Sequence, residues 1–224
     1  MKISKRLHEE GTKAILITAT IIAALVILVN AVWPSQTFWH VLLYAFLLTV
    51  LVLTIRFFRV PIWRETTIEE DMVLAPADGV IAANEEVMED EYFHDKRRQI
   101  SIFMSIYDVH INFFPFDGTV TYYKYHPGKF LVAFKPKSST DNEHNTIILK
   151  DMKGREILVR QIAGFVARRI VCDLESGDEA IAGEELGMIR FGSRVDVFLP
   201  LDADVKVKMG GRTTGKETVL ATLK

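Results

Sequence analysis

The chain has 224 residues, with 27 Lys and Arg against 29 Asp and Glu, a formal net charge of -2 at pH 7. That balance argues against a nucleic-acid partner, because binding a phosphate backbone needs a concentrated basic surface. One cysteine, Cys172, excludes an internal disulfide framework and agrees with a reducing compartment.

The first feature along the chain is a stretch from Ala14 to Ile55 without Lys, Arg, Asp or Glu. As one helix it would run roughly 60 Å, about twice the ~30 Å hydrocarbon core of a bilayer. The break at Pro34-Ser35-Gln36 predicts two passes instead, residues 14–33 and 37–55, joined as a helical hairpin. A cleaved signal peptide fits poorly, since no A-x-A-like site follows the first pass and a second begins at once. Lys2, Lys5, Arg6 and Lys13 precede the hairpin, Arg56, Arg59 and Arg64 follow it, and the turn carries no positive charge. The positive-inside rule then places both ends in the cytoplasm. The expected organisation is a membrane anchor, residues 1–58, and a second domain, residues 59–224, on the cytoplasmic side of the cell membrane. His40 falls near the outer interface, where a structural or solvated histidine is expected.

Beyond Arg64 the composition changes to short β-branched or aromatic runs separated by Gly, Pro, Asp and Asn. The predicted strands are 72–74, 79–83, 99–105, 118–125, 146–150, 156–163, 185–190, 195–199, 204–209 and 217–223. No long amphipathic helical pattern competes with them. The fold class expected is mainly β, an antiparallel sandwich or open barrel. Residues 84–96, acidic and rich in turn formers, read as a mobile exposed loop. The stretch Ile111–Phe116, with Phe113, Phe114 and Phe116 around Pro115, reads equally as a buried strand end or as a surface dipping into lipid. Cys172, inside an apolar run, reads as a small buried side chain.

Three residues stand out chemically. A nucleophilic serine needs a base within hydrogen-bond reach and a carboxylate to hold that base. Ser193 follows Gly192 at the head of a predicted strand. His110 sits where a strand runs into the aromatic stretch. Asp78 lies in the turn Pro76-Ala77-Asp78-Gly79. Taken singly, Gly-Ser is an ordinary turn, Asp78 is ordinary turn chemistry, and His110 is a core histidine.

Taken together they fall within a recognisable series: Pro76-Ala77-Asp78-Gly79-Val80-Ile81, then Val109-His110-Ile111-Asn112-Phe113-Phe114-Pro115-Phe116-Asp117-Gly118, then Tyr125-His126-Pro127-Gly128-Lys129-Phe130, then Gly187-Met188-Ile189-Arg190-Phe191-Gly192-Ser193. In content and order this resembles phosphatidylserine decarboxylase proenzymes, across essentially all of residues 56–224. The resemblance implies self-cleavage between Gly192 and Ser193. Ser193 would attack the Gly192 carbonyl, and elimination from the resulting ester would leave a pyruvoyl group, the covalent cofactor. It makes His110 the base and Asp78 the acid that orients it. The products are a β chain, residues 1–192, and an α chain, residues 193–224, which stay associated. A homodimer of this pair is compatible with the family. The pyruvoyl carbonyl would form a Schiff base with the amine of a phospholipid substrate in the membrane, and carbon dioxide loss would give phosphatidylethanolamine.

Long-form members read Leu-Gly-Ser-Thr at the cleavage site and His-x-x-His around the base. Here the chain has Phe-Gly-Ser-Arg and Tyr107-x-x-His110, which resembles the compact prokaryotic branch. Tyr107 either supplies a hydroxyl or packs. Lys129 and Arg194 are the first candidates to meet the substrate's phosphate or carboxylate. No metal is expected, since the chain has neither H-x-H nor H-E-x-x-H. The alternatives are a membrane-anchored zinc peptidase, which lacks those motifs, and a carrier-like β module, which has no use for Gly192-Ser193.

Overall fold

The computed structural model describes residues 6–128, 142–164, 170–190 and 193–224. The chain divides into two compact units, Met1–Ile62 and Trp63–Lys224.

The first unit holds two helices long and apolar enough to cross a membrane, α1 (Glu9–Val32) and α2 (Phe38–Phe57). Each starts and ends within five residues of the predicted pass, because the caps set the ends. The His8 ring accepts the Glu10 amide at the start of α1. His40 is buried rather than solvated. Its Nδ1 accepts the Thr37 amide, so Nε2 carries the hydrogen, which it gives to the Trp33 carbonyl at 3.1 Å. One imidazole thus ties the end of α1 to the start of α2, and Asn30 Nδ2 reaches Tyr44 Oη at 2.7 Å just below.

The second unit is mostly β. Its strands are β1 (Met72–Leu74), β2 (Gly79–Glu89), β3 (Asp95–Met104), β4 (Ile111–Phe113), β5 (Gly118–His126), β6 (His144–Asp151), β7 (Glu156–Ala163), β8 (Ile170–Val171), β9 (Glu179–Ala180), β10 (Glu185–Ile189), β11 (Ser193–Leu199), β12 (Asp204–Val205), β13 (Arg212–Thr213) and β14 (Val219–Thr222). A curled antiparallel sheet of eight runs β13-β2-β3-β11-β7-β6-β5-β9. Two small sheets, β4-β10-β8 and β1-β14-β12, complete the unit.

The alternation of β11 sets the core. Val195, Val197 and Leu199 enter the main apolar cluster, while Arg194, Asp196 and Phe198 face the other side. That side is covered too, by Val87, Tyr92, Phe93 and Tyr122 around Ile148, Leu158 and Phe198. Each fully buried Val or Leu contributes about 1.5–3 kcal/mol, so a strand buried on both faces is a strong anchor for whatever stands at its first position.

Two expectations need correction. Residues 84–96 are not a mobile loop: Asn84–Glu89 pair with Asp95–Ile100 as the outer half of a long hairpin. The acidic composition misled because one carboxylate, buried Glu89, caps the turn by accepting the amides of Glu91, Tyr92 and Phe93. The stretch Ile111–Phe116 takes the buried alternative. Phe113, Phe114 and Phe116 are each 4 % exposed, and Ile111–Phe113 pairs with β10. The strand expected over 204–209 is only the two residues of β12, which pair with β14.

Candidate active site

Ser193 opens β11, with its backbone in register between Met104 of β3 and Ala163 of β7. It is fully buried, and its hydroxyl donates to the Met104 thioether, with Oγ 3.2 Å from Sδ. Gly192, the other half of the expected cleavage site, lies outside the described residues, as does Lys129.

His110 is also fully buried. It directly precedes β4, and its carbonyl accepts the Ile189 amide of β10, the strand that leads toward Ser193. Its Nδ1 lies 3.1 Å from the Asp108 carbonyl. A carbonyl can only accept, so Nδ1 carries the hydrogen and Nε2 is left as the basic nitrogen of the neutral ring.

Asp78 is buried in the turn before β2, and four donors converge on it. Arg64 meets it as a fork, Nη1 to Oδ1 at 2.6 Å and Nη2 to Oδ2 at 2.8 Å, the Gly215 amide reaches Oδ1 at 2.8 Å, and the Val109 amide reaches Oδ2 at 3.3 Å. The His110 ring is not among these partners. Asp78 therefore holds the backbone just before His110, and the ring itself is fixed through the Asp108 carbonyl.

Asp108 is a second buried acid, and it shapes the loop that carries His110. Its Oδ2 accepts both the amide and the hydroxyl of Ser105, and its Oδ1 accepts Arg212 at 2.6 Å. Burial opposes its ionisation, yet the Ser105 hydrogen bonds and the Arg212 guanidinium hold its carboxyl below the usual value. Tyr107 sits at the tip of this turn, 59 % exposed. On the far side of Asp78, burial and the neighbouring Arg64 push the Lys216 amine below its ordinary value.

The structure thus brings Asp78 against the His110 segment and sets Ser193 on Met104, whose sulfur also faces Asn112, two residues after His110. It does not bring Arg194 to the serine. Strand alternation turns that side chain to the opposite face of the sheet, where it pairs with Asp196 at 2.5 Å and reaches Ser101 Oγ at 2.8 Å.

Sequence reasoning missed a row of buried amides beside the serine. Asn145 Nδ2 donates to Gln161 Oε1 at 3.3 Å, Gln161 Nε2 to Asn112 Oδ1 at 2.8 Å, and Asn112 Nδ2 faces Met104 Sδ at 3.7 Å. Asn112 stood in the quoted motif, but a lone Asn beside a strand reads as turn chemistry. Gln161 and Asn145 gave no signal, because their proximity comes from the pairing of β6 with β7.

On the opposite face, Glu91, His126 and His144 bring a carboxylate oxygen and two ring nitrogens within 4.8 Å of one another. The imidazoles are stacked, with centroids 4.3 Å apart and planes at 10°, so their in-plane lone pairs run side by side instead of converging on one ion. Glu91 accepts His126 Nε2 at 2.6 Å, Thr146 Oγ1 at 2.8 Å and Arg160 Nη2 at 2.9 Å. This is an ion-pair network tying the β2–β3 turn to β5 and β6. Burial, with Arg160 and His126 nearby, pushes the His144 ring below its ordinary value, and its Nδ1 donates to the Asn142 carbonyl. Burial also pushes the Cys172 thiol up to about 12, which makes it a poor nucleophile at neutral pH.

A family model described as phosphatidylserine decarboxylase matches residues 50–221 of the chain. Among curated relatives, a phosphatidylserine decarboxylase proenzyme of Bacteroides thetaiotaomicron is 47% identical over 221 residues, covering 98% of this chain and 96% of the relative. A protein of the same description from Cytophaga hutchinsonii is 44% identical over 215 residues, 96% of this chain and 97% of its own length. One from Amoebophilus asiaticus is 51% identical over 167 residues, 75% and 74% of the two chains.

Proposed function

The chain belongs to the phosphatidylserine decarboxylase family, and we propose that it converts phosphatidylserine to phosphatidylethanolamine through a pyruvoyl group made from its own Ser193. The observation that carries this reading is the setting of Ser193. It is a fully buried hydroxyl at the head of a central strand, and among the described residues it donates only to a thioether. A structural serine in a core would be paired with a carbonyl or a carboxylate.

In this reading Ser193 turns about χ1 from Met104 toward the Gly192 carbonyl. His110 Nε2 takes its proton, and Oγ adds to the carbon. Hydrogen bonds at catalytic sites are often unformed before the reacting geometry is reached, so the present rotamer does not oppose this. Collapse with cleavage of the C–N bond gives an ester. Loss of the Ser193 α-proton and of the Gly192 carboxylate leaves an enamine, which takes up water and releases ammonia. The pyruvoyl group has the same three carbons as the serine it replaces, so it fits the space between Met104 and Ala163. It supplies an electrophilic carbonyl that captures the substrate amine and accepts the electrons left by departing carbon dioxide. Of the chain's own groups, His110 holds the proton to be returned to carbon. Asp78, Arg64 and Asp108 keep the His110 segment in place. Helices α1 and α2 anchor the enzyme to the membrane that holds its substrate, with the β unit on the cytoplasmic side.

Denaturing electrophoresis of the purified protein should show two fragments, and mass spectrometry of residues 193–224 should find a pyruvoyl group at the N-terminus. Ser193→Ala should abolish both cleavage and carbon dioxide release. An active wild-type preparation made only of intact chain would refute the proposal.

A further inference from the structure

We propose that the β unit meets the phospholipid headgroup layer directly, through a surface gathered around Asp78 that carries Trp63, Ile106, Tyr107 and Lys216. This rests on the reading of α1 and α2 as a membrane anchor, and not on the pyruvoyl chemistry. Three stretches of chain converge on the Asp78 carboxylate. Arg64 forks onto both oxygens, the Gly215 amide reaches Oδ1 at 2.8 Å, and the Val109 amide reaches Oδ2 at 3.3 Å. Each stretch brings a group to the surface within three residues of its bond to Asp78. Beside Arg64, Trp63 is 65 % exposed. Just before Val109, Ile106 and Tyr107 are 50 % and 59 % exposed. Their turn is closed by the Asp108 amide on the Ser105 carbonyl at 3.0 Å and clamped by Arg212 on Asp108 at 2.6 Å. Next to Gly215, the Lys216 ammonium lies 5.8 Å from the centroid of the Phe113 ring and makes no ion pair among the described residues. Burial and the neighbouring Arg64 push its amine below its ordinary value, the mark of a cation without a counter-ion.

Single exposed apolar residues need no explanation, and Met88, Tyr125, Met152, Ile181, Leu201 and Met209 each stand alone on a separate stretch of the unit. Three tied to one carboxylate are different, the more so because two are aromatics with a polar atom at the ring edge. Trp and Tyr concentrate at membrane interfaces, where such rings sit among lipid headgroups. The tether names the partner. Trp63 stands six residues beyond the end of α2, so at most about 20 Å of extended chain links it to that helix. Lys216 supplies a cation for the lipid phosphates. Exposed Glu65 and Glu217 flank the surface and hold the contact at headgroup depth, above the hydrocarbon. Ile106 and Tyr107 follow Met104, the residue that receives the Ser193 hydroxyl, by two and three positions. The surface therefore lies at the Ser193 end of the sheet. A lipid held there keeps its acyl chains in the bilayer while its headgroup faces the end of the sheet that carries Ser193.

The test is tryptophan fluorescence of the full-length chain in phosphatidylcholine nanodiscs, either plain or brominated near the top of the acyl chains, since bromine quenches tryptophan on contact. The chain has three tryptophans, at 33, 39 and 63. Trp63 is read alone after Trp33→Phe and Trp39→Phe. With Trp63→Phe added, Tyr107→Trp and Met152→Trp are introduced one at a time as further probes. Met152 is exposed at the turn between β6 and β7, at the ends of those strands away from Ser193. Trp63 and the Tyr107→Trp probe should lose most of their emission in brominated discs and shift to the blue, and the Met152→Trp probe should do neither. Lys216→Gln should weaken the quenching of the Tyr107→Trp probe; unchanged quenching removes Lys216 from the surface. Equal emission of the Tyr107→Trp probe in plain and brominated discs overturns the proposal even where Trp63 is quenched, because the short tether alone brings Trp63 near lipid. Quenching of the Met152→Trp probe as strong as that of the Tyr107→Trp probe overturns it too, since the unit would then have no preferred face. Trp33 and Trp39, read together in Trp63→Phe, test the anchor separately. If bromine leaves them bright, the anchor reading and this docking surface both fall, while the decarboxylase reading stands.

Discussion

Arg64 shows how much a single side chain beyond the proposed trio of Ser193, His110 and Asp78 can decide. Its fork occupies both oxygens of Asp78, and the two side chains are only 10 % and 9 % exposed. A buried carboxylate that loses its cation keeps its desolvation cost, so breaking such a pair typically costs about 3–5 kcal/mol. Arg64→Met should lower the unfolding free energy by about 3 kcal/mol, measured by denaturant titration in the Ser193→Ala background. It should also slow self-cleavage, because Asp78 would then hold the Val109 amide, and through it His110, less firmly. Arg64→Lys restores the charge without the planar fork and should recover only part of both losses. Full recovery by lysine would show that charge alone matters. None of this was legible in the sequence, where Arg64 counted only as a positive charge flanking the membrane hairpin. Asp78, His110 and Ser193 could be singled out in the sequence as the proposed trio, because residue type and motif order point to them. The partner of Asp78 could not, since a pairing across fourteen residues of irregular chain leaves no periodic mark.

At the scale of elements, what the sequence hid follows the same logic. Strands with clean alternation or dense β-branching, such as β7 and most of β11, were read within two residues of their ends. Two-residue strands such as β8, β9 and β13 have no pattern long enough to see, and they exist because a neighbouring strand offers them hydrogen bonds. Gly79 marks a place where an element boundary is a packing requirement. A Cβ there would lie 2.3 Å from the Phe103 carbonyl, so only glycine lets β2 leave the Asp78 turn directly onto β3. The ion-pair network on the opposite face gives the element-scale prediction. Burial holds the His144 ring below its ordinary value of 6.5, so the unfolded chain takes up a proton at this position that the folded chain resists. The stability this confers is complete above pH 6.5 and is lost as pH falls through the folded value. Glu91, held below its ordinary value despite its burial, loses its contribution only below pH 4.5. The melting temperature of the Ser193→Ala protein should therefore fall as pH drops below 6.5. His144→Phe, which keeps a ring stacked on His126 but cannot titrate, should flatten that fall. An equal slope in the two proteins would assign the pH dependence to other groups.

For the molecule as a whole, the question is how the proposed cut between residues 192 and 193 would leave one protein. The smaller product would contribute strands to two of the three sheets, the eight-stranded sheet and β1-β14-β12. β11 lies in the interior of the eight-stranded sheet, paired along its length with β3 on one side and β7 on the other. β13 closes the edge beside β2, and β14 sits between β1 and β12. Removing residues 193–224 would open both sides of the central strand and empty the core of Val195, Val197, Leu199, Leu220 and Leu223. At about 1.5–3 kcal/mol for each large apolar side chain buried, these five residues alone hold the pieces together by roughly 10 kcal/mol, before any strand hydrogen bonds are counted. Cutting one peptide bond at the head of β11 adds two chain ends and removes none of these contacts. The two fragments should therefore elute as one species from a sizing column in detergent and should separate only at denaturant concentrations that abolish the β signal in circular dichroism. Release of the smaller fragment under native conditions would mean that the sheet rearranges after cleavage. The arrangement also has a kinetic corollary. Ser193 reaches its buried place only when β11 is zipped between β3 and β7, so self-cleavage should follow sheet formation, and a chain that cannot complete the sheet should remain uncut.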